Sequence, residues 1–388
     1  MLCKLSFTQE VYCTQQHAHE LFSGARILED PVLNEVKNVR FDTPSQYIIP
    51  TVVHVFHNGE EGKLDLDQVL SGLKTINEDF AGLNEDWEDV DPLFAELRGK
   101  LDLRLQLATL DPDGNSTSGV VYYDDKSASL NQKDLYENRW DISSYLNIYL
   151  PIYINGEPSV GTAYASLPMA FYIDSGRDGI YYSSVRWGLG DHSELEPGSE
   201  LASIATHEVG HWLGLYHTFQ RGCSGPGDYV PDTPPASEEP ISLGECPLEV
   251  STCGNRRNIE NYMDYFHGCK KMFTQGQVLR MINVLHEPFR KKIWSTQNLI
   301  KTGILDNSAV LSQQNVIAFE NSVGELAFQF NGEKNRLVVY NLNGKRLFEQ
   351  EVVGKFLTVS RNVLEPGLLF YVVFDGNDRF RGKILLSN

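Results

Sequence analysis

Residues 206–217, Thr206-His207-Glu208-Val209-Gly210-His211-Trp212-Leu213-Gly214-Leu215-Tyr216-His217, set three histidines, a glutamate and a glycine in the order HExxHxxGxxH. On a helix, residues four apart share a face, so the imidazoles of His207 and His211 address one point. Leu201, Ala205, Val209, Trp212 and Leu213 make an apolar stripe on roughly the opposite side, which anchors such a helix. Pro197, Gly198 and Ser199 suit its start, with Glu200 in the first turn. Gly214 has no Cβ and tolerates positive φ, so the helix ends there and the chain turns His217 back as a third nitrogen donor. Three imidazoles leave a zinc ion one open position, where a water is acidified toward a pKa of about 7. Glu208 beside the first ligand is then the base that takes a proton as the water attacks a peptide carbonyl. The blander alternatives are packed histidines and a zinc site without hydrolysis. The second is disfavoured because Glu208 is present and the motif offers no fourth protein ligand.

The remaining composition narrows the setting. Among 388 residues, 52 are acidic and 33 basic, and a net charge of −19 disfavours a phosphate-backbone partner, so nucleic acid is not expected. No apolar run approaches the roughly 20 residues of a membrane span, and no transmembrane segment is expected. The start, MLCKLSFTQEVYC, lacks the pattern of a signal peptide. Cys223, Cys246, Cys253 and Cys269 nevertheless crowd one Gly/Pro/Asp-rich segment with no CxxC pair. That spacing suits two disulfides better than a thiolate metal site, and it leaves three pairings open. The expectation is therefore a secreted or cell-surface protein. Free thiols at these positions would instead favour a cytosolic peptidase.

Patterning outward from the motif predicts an α+β architecture. YIIPTVVHVFHN (47–58) reads as a strand, and Val69, Leu73, Ile76 and Phe80 fall at helical spacing. Leu101, Leu103, Leu105 and Leu107 alternate, YLNIYLPIYI (145–154) is another apolar strand, and a helix is expected at Gln275–Glu287. His54 and His57 point to opposite faces of their strand and are read as structural. The expected division is an appended segment at 1–46, a catalytic domain at 47–295, a linker at 296–310 and a β-sandwich at 311–388. In the sandwich, Asn343-Gly344 and Asp375-Gly376 predict hairpin turns, the first of type I′ with positive φ at both residues.

The long motif and the later NYMDY (261–265) together resemble the metzincin metalloproteases of the pappalysin and cytophagalysin group. PTVVHVFHN, INEDFAGLNED, LATLDPDGN, YLNIYLP and GDYVPDTP extend the likeness over about Tyr47 to Phe289. The resemblance implies a zinc endopeptidase fold of a twisted mixed sheet, an active-site helix and an irregular lower subdomain. It also implies that protein or peptide substrates are cut. Met263 would form the Met-turn beneath the imidazoles, and Tyr265 would donate a hydrogen bond to the nascent oxyanion. Read alone, both are ordinary core residues. The same likeness pairs Cys223 with Cys253 and Cys246 with Cys269. It also assigns a structural calcium ion to Asp228, Asp232 and Thr233, where the plainer reading is a solvated acidic loop. Relatives that prefer basic residues on the primed side carry acidic residues where this chain has Phe266-His267-Gly268, so that preference is not carried over. Cys13 matches a pro-segment cysteine whose thiolate would hold zinc's open position and keep the enzyme latent. Thr14 departs from the family's glycine, and a Cys3–Cys13 disulfide is the alternative. The C-terminal unit, with VVYNLNGKRLFEQEVV, LEPGLLFYVVF and RGKILLSN, resembles the sorting domain by which Bacteroidota route proteins through the type IX secretion machinery. A generic sandwich that binds carbohydrate or caps the enzyme is the alternative. For the whole chain the competing class is a noncatalytic secreted adhesin on the same scaffold, and Glu208 discriminates between them.

Overall fold

The computed structural model describes residues 12–13, 44, 46–124, 136–154, 157–158, 162–190, 203–224, 227–237, 246–247, 249–305, 316–320, 325–330, 332–364, 366–376 and 378–386. The chain divides into two compact units, Met1–Ile304 and Leu305–Asn388.

The first unit is built on a seven-stranded sheet. Its strands are β1 (Tyr12–Cys13), β2 (Tyr47–His57), β3 (Leu103–Leu107), β4 (Val120–Asp124), β5 (Leu146–Pro151), β6 (Thr162–Ala165) and β7 (Ile180–Tyr182). The order is β1-β6-β7-β5-β2-β3, with β4 also pairing β2, and every pair is parallel except β6 with β7. β2 is central and ten of its eleven residues are buried, which is why its sequence is a near-continuous apolar run. Helix α1 (Leu66–Ala81) begins at Asp65, whose carboxylate accepts from Gln68 N–H, and ends at Gly82 with φ +63. Its buried side includes Val69, Leu73, Ile76 and Phe80, the residues at helical spacing. From the same helix Asn77 reaches β3: its Nδ2 donates to Leu105 O at 3.0 Å, and its Oδ1 accepts from Leu105 N at 2.8 Å.

On the opposite face of the sheet the cross-strand row Tyr164–Tyr181–Tyr149–His54 packs ring on ring, Tyr149 lying 4.8 Å from Tyr181 and 4.9 Å from His54. His54 is fully buried, bonded to Tyr123 and Asn147, and is structural; His57 contacts the Gly59 carbonyl.

Helices α2 (Ile204–Trp212) and α3 (Gln275–His286) complete the core. The expected α2 start at Pro197–Glu200 lies outside the described residues, which resume at Ser203. α3 carries a capping box in which Thr274 and Gln277 satisfy each other's backbone N–H. Residues 296–301, expected to begin a linker, instead form helix α4 (Thr296–Lys301). Ser295 caps it, Leu299 is buried, and Asn298 Nδ2 donates to the carbonyls of Ser144 and Ile293, both at 2.8 Å. These tertiary bonds convert a polar stretch into the closing element of the unit.

The second unit is all antiparallel. One sheet has the order β8 (Val316–Glu320), β9 (Leu326–Phe330), β12 (Phe356–Val359). The other has the order β11 (Arg346–Val353), β10 (Lys334–Tyr340), β13 (Gly367–Asp375), β14 (Asp378–Leu386). Phe328, Phe330, Leu337, Val339, Leu369 and Val373 form a shared core. The β10–β11 turn differs from type I′: Gly344 has φ +76, but Asn343 is not in the positive region. Asn341 Oδ1 accepts from Asn343 N and Lys345 N, giving a longer loop that its own side chain organises. The second turn falls one residue later than expected, because Asp375 pairs with Asp378 and Gly376 carries the positive φ.

Candidate metal centre

Helix α2 brings His207, Glu208 and His211 into the core, where all three are fully buried. Gly214 follows with φ +87; Gly214 N donates to His211 O and Leu215 N to Gly210 O, a terminating turn that swings the chain back to His217. Arg280 of α3 fixes that turn by donating from Nε to Gly214 O at 2.7 Å. The other end of α2 is held at Trp212, whose indole donates to Asp178 at 3.0 Å. Arg290 stacks on the same indole at 3.7 Å and forms a buried ion pair with Asp178.

The Nε2 atoms of His207 and His217 each lie 3.0 Å from Nε2 of His211, and the three residues form the metal-competent group among the described residues. Two ligands of a tetrahedral zinc ion sit about 3.3 Å apart, close to this spacing. His207 Nδ1 faces Tyr262 O at 2.7 Å, and His211 Nδ1 faces Leu215 O at 2.8 Å. A carbonyl only accepts, so Nδ1 carries the proton and Nε2 presents a lone pair. Burial also opposes the doubly protonated form. It pushes His211 down to about 4 and, with help from Lys270 and the other two histidines, His207 well below the usual range. Converging neutral lone pairs repel unless a cation lies among them, so the residues present fit zinc.

Met263 packs against α2 at Gly210. A Cβ at Gly210 would sit 2.5 Å from Met263 Sδ, so the glycine inside the motif is what lets the methionine approach. Asn261 Oδ1 accepts from Met263 N at 2.9 Å, and its amide pairs reciprocally with that of Gln277, at 2.8 and 3.0 Å, which ties the turn to the start of α3. Tyr265 packs with its ring 4.6 Å from that of His217 and 4.7 Å from that of Phe219.

Between Met263 and Tyr265, Asp264 accepts from Arg257 Nε at 2.9 Å, Arg257 Nη2 at 3.0 Å, Thr218 Oγ1 at 2.8 Å and Tyr265 N at 2.7 Å. This buried hub joins the third histidine's neighbour to the Met263–Tyr265 turn, and the sequence reading missed it. Lys270, also missed and 2% exposed, reaches the same turn. Asp79 of α1 is another: buried and bonded to Thr206 Oγ1 at 2.5 Å, it is pushed up to about 7 chiefly by burial. A lysine in CKK or an aspartate in NEDF carries no sequence mark of burial.

Disulfides join Cys223 to Cys253 and Cys246 to Cys269. The segment assigned to calcium is only partly brought together. Asp228 Oδ1 accepts from Val230 N at 3.0 Å and Thr233 Oγ1 at 2.7 Å, and its Oδ2 is buried without a hydrogen-bond partner among the described residues. Asp232 turns elsewhere, accepting from Thr274 Oγ1 at 2.7 Å and Gly276 N at 2.8 Å at the start of α3. The backbone of Cys13, on edge strand β1, pairs with Ala163 of β6, which packs against α2, whereas its side chain lies outside the described residues.

Residues 129–286 match the Peptidase_M43 family, described as pregnancy-associated plasma protein-A. An extracellular metalloprotease of Coccidioides posadasii is 54% identical over 105 residues, covering 25% of this chain and 37% of the relative. One from Colletotrichum graminicola is 40% identical over 146 residues, covering 35% of this chain and 48% of the relative. The chain thus spans less than half the length of these curated relatives. Mature mirolysin of Tannerella forsythia, solved with a cleaved peptide, aligns with a TM-score of 0.58 and 27% identity over 67% of this chain and 99% of its own. A promirolysin mutant aligns with a TM-score of 0.60 and 26% identity over 77% of this chain and 98% of its own. The first unit has the metzincin fold that these neighbours share.

Proposed function

We infer that this protein, whose first unit has a metzincin fold, is a secreted zinc-dependent endopeptidase, with Glu208 as the proton-transferring base. The observation that carries this reading is the convergence of three Nε2 atoms whose two Nδ1–H groups on α2 are tied back to carbonyls. His207, His211 and His217 would hold the zinc ion, which when bound would supply Lewis acidity to water and to the scissile carbonyl. Glu208, next to His207 on α2, takes the proton of the attacking water on a carboxylate oxygen and delivers it to the amide nitrogen as the C–N bond breaks. Tyr265 donates its phenolic proton in a hydrogen bond to the carbonyl oxygen as negative charge builds there. Met263 provides an apolar floor that fixes the imidazoles.

Glu208→Ala tests the chemistry. Its peptide cleavage should fall about 10²–10⁴-fold while zinc stoichiometry is kept. Wild-type cleavage by this variant would overturn the role of Glu208. Turnover untouched by chelation and zinc resupply would overturn the metal.

The extracellular names of the relatives and the two disulfides support export. In this proposal residues 1–46 are a pro-segment, and the pairing of Cys13 with β6, together with the promirolysin likeness, supports latency through Cys13. Cys13→Ala should cleave peptide before processing; unchanged latency sinks the switch. Residues 311–388 are proposed as the type IX sorting domain, so truncation from Leu311 should trap the protein in the periplasm, and normal export defeats the assignment. Calcium is proposed at the Asp228–Thr233 segment, where Asp228 Oδ2 offers a hard oxygen. Added calcium should raise Tm in the wild type and not in Asp228→Asn; an equal rise in both removes the site.

A further inference from the structure

Lys270 is a lysine with nowhere to go. Only 2% of it is exposed, and an ammonium is retained in a protein interior only where acceptors replace its water. Here Nζ donates to Tyr262 O and Asp264 O, the carbonyls on either side of Met263. Tyr262 O is also the acceptor that orients His207 through Nδ1, and Nζ stands 3.5 Å from that nitrogen. One carbonyl therefore takes donors from a histidine of the metal group and from a cation at the same time.

The geometry points to Lys270 as a positioning residue of the metal centre. It clamps the two peptide units around Met263 into one orientation and so fixes the direction from which Tyr262 O grips His207. Asp264 holds the same turn from its side-chain end through Arg257 and Thr218. The lysine is thus the backbone half of a two-sided fastening. Without it the two peptide units are held only through their N–H groups, by Asn261 and Asp264, so the carbonyls can tilt, the hold of Tyr262 O on His207 loosens, and the metal is released faster.

The inference rests on the reading of the three histidines as zinc ligands. Lys270→Met removes the charge and the donors at similar length; Lys270→Arg keeps both, and Lys270→Gln keeps one amide donor. Zinc release from the full chain into a chromophoric chelator is followed alongside kcat, KM and circular dichroism. Lys270→Met should keep its fold and release zinc at least about tenfold faster, in the range seen when partners behind a metal ligand are lost. Its kcat at saturating zinc should fall with little change in KM, and Lys270→Arg should recover most of both. Should the methionine variant not fold, Lys270→Gln decides, with faster release again expected. Lys271→Met, which removes the neighbouring Glu260 ion pair instead, should release zinc as the wild type does. Wild-type zinc release from folded Lys270→Met or Lys270→Gln overturns the assignment. A wild-type chain that binds no zinc overturns the underlying function instead.

Discussion

Substituting Gly210 by alanine adds a single methyl group to the buried helix that carries the histidines, and the structure says what that methyl meets. Its position lies 2.5 Å from Met263 Sδ, whereas non-bonded heavy atoms rest near 3.5–4.0 Å, so one of them must move by about 1 Å. Gly210 is helical, and alanine there should gain about 0.8–1.0 kcal/mol from helix propensity. Overpacking of a close-packed core should cost about 1–3 kcal/mol. The net expectation is a change from near zero to about 2 kcal/mol of destabilisation, or a few degrees in Tm. Activity should suffer more than stability, because a displacement of about 1 Å in the helix that carries His207 and His211 can cost on the order of 10²-fold.

The partner mutation makes this decisive. Met263→Ala alone should cost about 2–5 kcal/mol through the cavity it leaves. In that background Gly210→Ala no longer meets sulfur and should stabilise by about 1 kcal/mol, so the two changes should couple by about 1–3 kcal/mol. Denaturant unfolding of the four variants, with kcat on a fluorogenic peptide, measures this cycle. Additive costs, with the alanine equally harmful whether or not Met263 is present, would refute the claim that Met263 is why the motif has glycine there.

Asp79 gives a pH signature. Burial holds it at about 7 against an ordinary 3.8, so between about pH 4 and 7 the native chain keeps a proton that the unfolded chain releases. Its contribution to stability is therefore fully present at low pH and declines by up to about 1.4 kcal/mol per pH unit until the native group ionises. Because Asp228 is raised to the same value and His54 is pushed down to about 4, the readout is the Asp79→Asn minus wild-type difference in urea unfolding. That difference should grow from pH 4 to 7 and then level; a flat difference contradicts it. Replacing Cys223 and Cys253, which are 30 residues apart, with serine should cost roughly 3–4 kcal/mol of loop-closure entropy, read as a lower Tm that reductant affects less than in the wild type. An unchanged Tm would mean that the loop is held by its other bonds.

The parts of the site legible in the sequence were those encoded by short-range spacing. His207 and His211 share a helical face, Gly214 ends the helix, and α1 follows its apolar period. What escaped is held by partners distant in sequence. Lys270 looks like any surface lysine until Tyr262 and Asp264 are folded over it, and Arg257 acquires its role only between the rings of Phe219 and Phe266. α4 was hidden for the same reason, since Asn298 reads as a loop residue unless the Ser144 carbonyl is known to be 2.8 Å away. Asn343-Gly344 shows the limit of local rules: the dipeptide marks a turn, but Asn341 organises a longer one.

Asn77 occupies both the N–H and the C=O of Leu105, so at that point the sheet's margin is already answered by a side chain. An extended segment approaching from that side finds its docking groups taken, and on the far side Thr162–Ala165 is already paired by Tyr12–Cys13. One margin is thus answered by an amide and the other by the paired strand Tyr12–Cys13, so at both places backbone groups that could template the growth of a fibre are already occupied.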